Sequence, residues 1–110
     1  IDSAAEQRLL PWEDFLESGL LKVAHHGGAG SSSAAFLNTV RPQLAIITAG
    51  RNNAHGHPSE SVIRRLQENG TPYYVTGEQG TLLCVSNGET VEIASWRKSN
   101  LAHQWRLPTN

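Results

Sequence analysis

The sequence predicts an α/β fold: mainly parallel strands with crossover helices, followed by a C-terminal β-hairpin. Three observations carry this. Short apolar runs at residues 20–24 and 44–49 alternate with segments of helical spacing. The strand-like runs lack polar alternation, as strands covered on both faces do. Beyond Gly80 two further runs flank Asn87-Gly88, a hairpin turn signal.

In order, Ser3 and Glu6 have the spacing of a capping box, so a first helix is expected from about Ala4, with Leu9, Leu10, Phe15 and Leu16 as its buried side. Pro11 lacks an N–H and should break it, and Gly19 closes the segment. Leu20–Ala24 reads as a buried strand running into His25-His26-Gly27-Gly28. The Gly-Ser loop 27–33 precedes a helix from Ser33 to Val40 with Phe36, Leu37 and Val40 on one face, ended by Pro42. Leu44–Ala49 is the clearest strand, β-branched at its centre. After a polar loop, Pro58 is placed as a first helical residue, with Val62, Ile63 and Leu66 buried before Gly70. Tyr73–Thr76 is the next strand, and Thr81–Val85 and Thr90–Ala94 form the hairpin, where Cys84 reads as a small core residue. Residues 1–98 are read as one folded unit. Residues 99–110 are read as a flexible tail or as a segment that docks elsewhere.

The chain has 110 residues, a formal net charge of −1, 38% hydrophobic residues and one cysteine. That length suits one small domain. The charge excludes a strongly basic nucleic-acid-binding domain, and the single cysteine excludes an internal disulfide. No apolar run approaches the ~20 residues that span a bilayer. Ile1 stands where an initiator methionine would, so the chain is expected to be cut from something longer.

Two histidine clusters carry the candidate chemistry. His25 and His26 follow a predicted strand, at the sheet edge where α/β folds place ligands. They read as zinc ligands or water activators, or as histidines satisfied by local hydrogen bonds. Adjacent strand residues point to opposite faces, so at most one of the two is expected in a given site. His57, in His55-Gly56-His57-Pro58, would bind an anion at a helix start or simply cap it. Ser31, Ser32 and Ser33 offer hydroxyls and amides to a phosphate, or a helix cap. A catalytic zinc needs about three protein ligands. The chain has no H-x-H-x-D-H, H-E-x-x-H or C-x-x-C pattern, so a complete metal site within it is not expected. His25, His26, His55 and His57 could meet only if two loops converge.

The run Leu21-Lys22-Val23-Ala24-His25-His26-Gly27, then Ser31-Ser32-Ser33, Phe36-Leu37, Arg41-Pro42, Ala45-Ile46-Ile47, Gly50, Asn52-Asn53 and Gly56-His57-Pro58 resembles the ComEC-type DNA-internalisation proteins, in their C-terminal metallo-β-lactamase-like domain. The resemblance covers about residues 5 to 86. It implies the C-terminal half of an αββα sandwich whose metal site lies between two halves. The H-x-H-x-D-H ligands would precede this chain, His25 or His26 would correspond to the late metal ligand, with His25 slightly preferred, and His57 would lie at the mouth of the cleft as a catalytic residue. Ser31, Ser32, Ser33 and Asn53 would contact phosphate or DNA. Gly28 stands where that family usually has serine, and His55 where an aromatic residue often precedes G-H-P.

The resemblance further implies a zinc- or manganese-dependent nuclease site acting on single-stranded DNA, in the soluble domain of a bacterial inner-membrane channel protein, on the periplasmic side. The segment alone is expected to be inactive and to bind no metal tightly, with the rest of the channel protein as its partner. Two other readings stay open. One is a non-catalytic module binding DNA or protein through Arg51, Arg64, Arg65, Arg97, Lys98 and Arg106, against an ordinary solvated surface. The other is a structural piece whose exposed sheet face drives self-association.

Overall fold

The computed structural model describes residues 1–95 and the backbone of a strand at His103–Arg106. Helix α1 spans Ser3–Leu9 and leads into a 3₁₀ segment, Leu10–Phe15, with Pro11 at its start. Then follow β1 (Leu20–Lys22), a second 3₁₀ segment (Ala24–Gly27), α2 (Ala34–Val40), β2 (Leu44–Ile47), α3 (Glu60–Glu68), β3 (Tyr73–Val75), the single turn α4 (Thr76–Gln79), β4 (Leu82–Ser86), β5 (Thr90–Ser95) and β6 (His103–Arg106). The first three strands form a parallel sheet in the order β1-β2-β3, and the last three an antiparallel sheet in the order β4-β5-β6. Parallel strands with crossover helices and a C-terminal hairpin are the fold class the sequence predicts.

Successive strand residues face opposite ways, and β2 is buried at every position. Ala45 and Ile47 enter a core with Val23, Leu37, Ala49, Val62, Leu66 and Val75, which seats the faces of α2 and α3 on the sheet. Leu44 and Ile46 pack on Val91 and Ile93 of β5, so the antiparallel sheet covers the other face. The layers are therefore helices, parallel sheet, antiparallel sheet.

Several local expectations are corrected. Asp2, in extended conformation, caps α1 by accepting from the Ala5 N–H at 2.9 Å, and Ser3 is already helical. Glu6 does not complete a capping box; it is the buried residue of α1. Leu9 and Phe15 are exposed, Phe15 by 82%, so the buried side expected for the first helix does not include them. Pro58 is not the first residue of α3: Ser59 caps the helix from an extended conformation, accepting from the Val62 N–H at 3.3 Å, Glu60 begins it, and a cis peptide joins His57 to Pro58. Thr76 ends no strand but opens α4. Cys84 is exposed on the edge strand β4, not in the core, and partial desolvation raises its thiol above the ordinary cysteine range. Of the expected tail, 99–110, only the backbone of β6 falls among the described residues.

Two outcomes test this architecture. Ile47→Ala removes a fully buried side chain from the strand between the two cores, and should cost about 2–5 kcal/mol in urea unfolding. The Ala5 amide holds the Asp2 carboxyl below the usual aspartate range. The cap is thus complete above the unfolded value of about 3.9 and is lost as pH falls through the lowered folded value. Carbon chemical shifts of α1 should accordingly move toward coil on acidification before those of α3.

Candidate functional site

The site forms where β1 and β2 end. After Lys22 the ladder continues for one bond, the Val23 N–H donating to the Ile46 carbonyl at 2.8 Å, and the chain then turns sharply. His25 and His26 adopt left-handed conformations, φ 50° and 54°, so the opposite-faces rule for strand residues does not apply to them. Gly27 follows at φ 83°, and a Cβ there would lie 2.7 Å from Pro58 Cβ. Only glycine permits this approach, which lets the Gly27 carbonyl accept from the Ser59 N–H at 2.8 Å. Those contacts clamp the His25-His26-Gly27 turn against the start of α3.

His26 Nδ1 lies 2.6 Å from the Thr48 carbonyl oxygen and 3.1 Å from Thr48 Oγ1. A carbonyl only accepts, so the proton sits on Nδ1 and the Nε2 lone pair is left available. Such an orienting bond is what a metal-ligating imidazole requires.

The second loop is organised by one side chain. Asn53 Nδ2 donates to the carbonyls of Gly50 and His57, and its Oδ1 accepts from the N–H groups of His55, at 3.2 Å, and His57, at 2.9 Å. The rings of His55 and His57 stack, with centroids 5.7 Å apart. His57 Nδ1 is buried without a hydrogen-bond partner among the described residues. His26, Thr48, Ala49, Gly50, Asn53, His55 and His57 line one cleft of about 230 Å³. The two histidine loops thus converge, and His26 rather than His25 lines the cleft.

The serines lie outside that lining. Ser31 and Ser32 are buried, and the amides of Ser32 and Ser33 donate to the two oxygens of the Glu6 carboxylate. Ser33 Oγ caps α2 by accepting from the Phe36 N–H at 3.2 Å. Arg65 ties down the same loop through the carbonyls of Ala29, Ser31 and Ser32. A larger open depression of about 680 Å³ lies among Glu13, Asp14, Phe15, Glu17, Asn38, Thr39 and Arg41 and contains no histidine.

Among the described residues no three His, Cys, Asp or Glu side chains are grouped to hold a metal ion. His26 Nε2, with an orienting hydrogen bond behind the ring, has the donor chemistry that a metal ligand needs. Sequence reasoning missed Thr48, whose carbonyl sets the His26 tautomer, and Glu6, whose capping-box spacing concealed a long-range role. It also missed Gly77, where a Cβ would stand 2.7 Å from the Ala49 carbonyl and 2.8 Å from Arg51 N. Replacing Asn53 by Ala should disorder the His55-His57 pair and cost about 1–3 kcal/mol by unpairing loop amides. In NMR spectra both rings should become equivalent to free histidine while the amides of the parallel sheet hold.

The chain is similar to segments of several longer proteins, two of them with competence names. It is 33% identical over 82 residues to ComE operon protein 3 of Bacillus subtilis (strain 168), a match covering 74% of this chain and 11% of that protein. It is 36% identical over 83 residues to Competence protein ComA of Neisseria gonorrhoeae, covering 74% of this chain and 12% of that one. It is 34% identical over 110 residues to Uncharacterized protein YcaI of Escherichia coli (strain K12), covering 96% of this chain and 14% of that one. The chain thus spans only 11–14% of the length of these curated relatives. No family model and no solved structure matches it. Among the described residues no helix is long and apolar enough to cross a membrane.

Proposed function

We propose that this chain is part of a competence protein of the DNA-uptake machinery and forms one wall of a metal-dependent phosphodiesterase site acting on single-stranded DNA. The similarity to proteins named for competence supports the setting. The observation that carries the chemistry is the His26 imidazole, pinned through Nδ1 to Thr48 and facing a cleft it shares with His55 and His57. In this reading the chain is the C-terminal half of a metallo-β-lactamase-like domain, and the remaining ligands come from another part of the longer protein.

Each residue then has a defined task. His26 holds Nε2 ready as the late ligand, and the Thr48 carbonyl prevents its ring from rotating away. Zinc or manganese bound there would polarise a phosphodiester oxygen and lower the pKa of a bound water. His57, which lines the cleft, holds or transfers a proton there, and His55 stacks on its ring. The Asn53 hydrogen bonds keep both rings in place. The domain belongs to a bacterial inner-membrane channel protein and faces the periplasm, with the rest of that protein as its partner.

The test combines the 110-residue chain with its full-length protein. Zinc titration of the chain, followed on the imidazole resonances, should show weak binding that moves His26 first. In the full-length protein, hydrolysis of single-stranded DNA should be lost with chelator and with His26→Ala, and should survive His25→Ala. Tight stoichiometric zinc binding by the chain alone would overturn the incomplete-site reading. Undiminished hydrolysis by the His26 variant would overturn its role as a ligand.

A further inference from the structure

We infer that Arg51 is the phosphate-binding residue at the mouth of the histidine cleft, gripping the backbone oxyanions of a single-stranded nucleic acid; this deepens the phosphodiesterase reading and rests on it. Few polar groups around the cleft are available to an incoming phosphate. Both ends of the Asn53 amide are engaged within its own loop. The amides of Ser32 and Ser33 are taken by Glu6, and the Ser33 hydroxyl by α2.

Arg51 is different. It follows Gly50, which lines the cleft, and its side chain is exposed. Its Nε donates to the Gly77 carbonyl at 2.9 Å. That bond fixes the guanidinium plane and leaves the two terminal nitrogens with no recorded partner among the described residues. The available edge is the one that makes paired, charge-assisted bonds to phosphate oxygens. Gly77 is itself required here, since its Cβ would meet the backbone of Ala49 and Arg51, so α4 packs closely on residues 49–51 and the Gly77 carbonyl can hold the Arg51 Nε.

Charge makes the same demand. Residues 1–95 carry six Lys and Arg against all ten Asp and Glu, a net charge of −4, so attraction for a polyanion must be local. Of the other cations in residues 1–95, Arg65 is engaged by three carbonyls, Arg41 by Glu17 and Arg64 by Glu60, and neither Arg8 nor Lys22 adjoins a cleft-lining residue along the chain. Arg51 is the cation beside the cleft with a donor edge to offer.

The test measures binding of a fluorescein-labelled oligothymidylate to the full-length protein by anisotropy, with chelator present so that no hydrolysis intervenes. Arg51→Gln retains a side-chain amide for the Gly77 carbonyl, and an unchanged circular dichroism spectrum and melting curve would verify that it folds. It should weaken binding about 5- to 10-fold and lower the salt slope by about 0.7, the value of one lost contact to a single strand. Arg51→Lys should fall between it and the wild type, having the charge without the fork. A neutral methylphosphonate oligomer should bind all three proteins equally weakly. Inorganic pyrophosphate that competes as well as the oligothymidylate would mark a general phosphate site and overturn the nucleic-acid assignment.

An Arg51→Gln protein with wild-type affinity and salt slope would overturn the proposal while leaving the phosphodiesterase reading intact. Conversely, Arg51-dependent binding together with full hydrolysis by His26→Ala would sink the metal-ligand reading and spare the phosphate contact. A wild-type protein that binds no oligothymidylate under these conditions would overturn the Arg51 contact, while the phosphodiesterase reading would stand or fall on the hydrolysis assay.

Discussion

Strand β2 is buried on both faces, and the position of everything else follows from that. Its Ala45 and Ile47 side chains hold α2 and α3 to one face of the parallel sheet, and Leu44 and Ile46 hold the hairpin to the other. A strand covered on both sides cannot slip by one residue without exchanging its two cores, so its register against β1 and β3 is strongly determined. The two loops that carry the histidines leave the carboxyl ends of β1 and β2, which are neighbours in a parallel sheet. Convergence of His26 with His55 and His57 is thus a consequence of strand order. The Thr48 carbonyl, one residue beyond β2, is the point where this rigid strand takes hold of the imidazole.

A second layer of constraint comes from polar side chains that act over long sequence separations. Glu6 reaches across 26 residues to the amide of Ser32, and Arg65 reaches back to the same loop from α3. A buried carboxylate accepting two amides and a guanidinium donating to three carbonyls are both charge-assisted arrangements. Between them they satisfy backbone groups that the irregular loop 27–33 would otherwise leave buried and unpaired. The His25-His26-Gly27 turn therefore stands on a braced support. An orienting hydrogen bond needs such a support, because a loop free to move would not hold Nδ1 against Thr48.

The elements themselves were legible from local patterns. Apolar runs at 20–24 and 44–49, the Asn87-Gly88 turn and the punctuation by Pro42 and Gly70 gave the element order and the fold class. What local patterns do not record is which of several neighbouring groups wins a competition. Asp2 outcompetes Ser3 for the cap because a carboxylate accepts the Ala5 amide while Glu6 is drawn into the core. Pro58 has the residue type of a helix start, but Ser59 has the side-chain oxygen to cap one. Leu9 and Phe15 keep helical spacing, yet burial depends on a surface beneath them, which spacing cannot supply.

The site was legible in part, for the same reason. Residue type and position after a strand identified the histidines as candidates, and the convergence of two loops was recognised as the condition for their meeting. Which of His25 and His26 lines the cleft follows from left-handed backbone conformations at both, to which strand alternation does not apply. Ser31, Ser32 and Ser33 are phosphate candidates by functional group, and Asn53 by the family resemblance. In the folded chain the groups of that kind are engaged with Glu6, α2 and their own loop. Availability for a ligand is a property of what remains after the fold has satisfied itself. It cannot be read from one residue at a time, and at this cleft it narrows the field to His26 Nε2 and, beside the lining, the outer edge of Arg51.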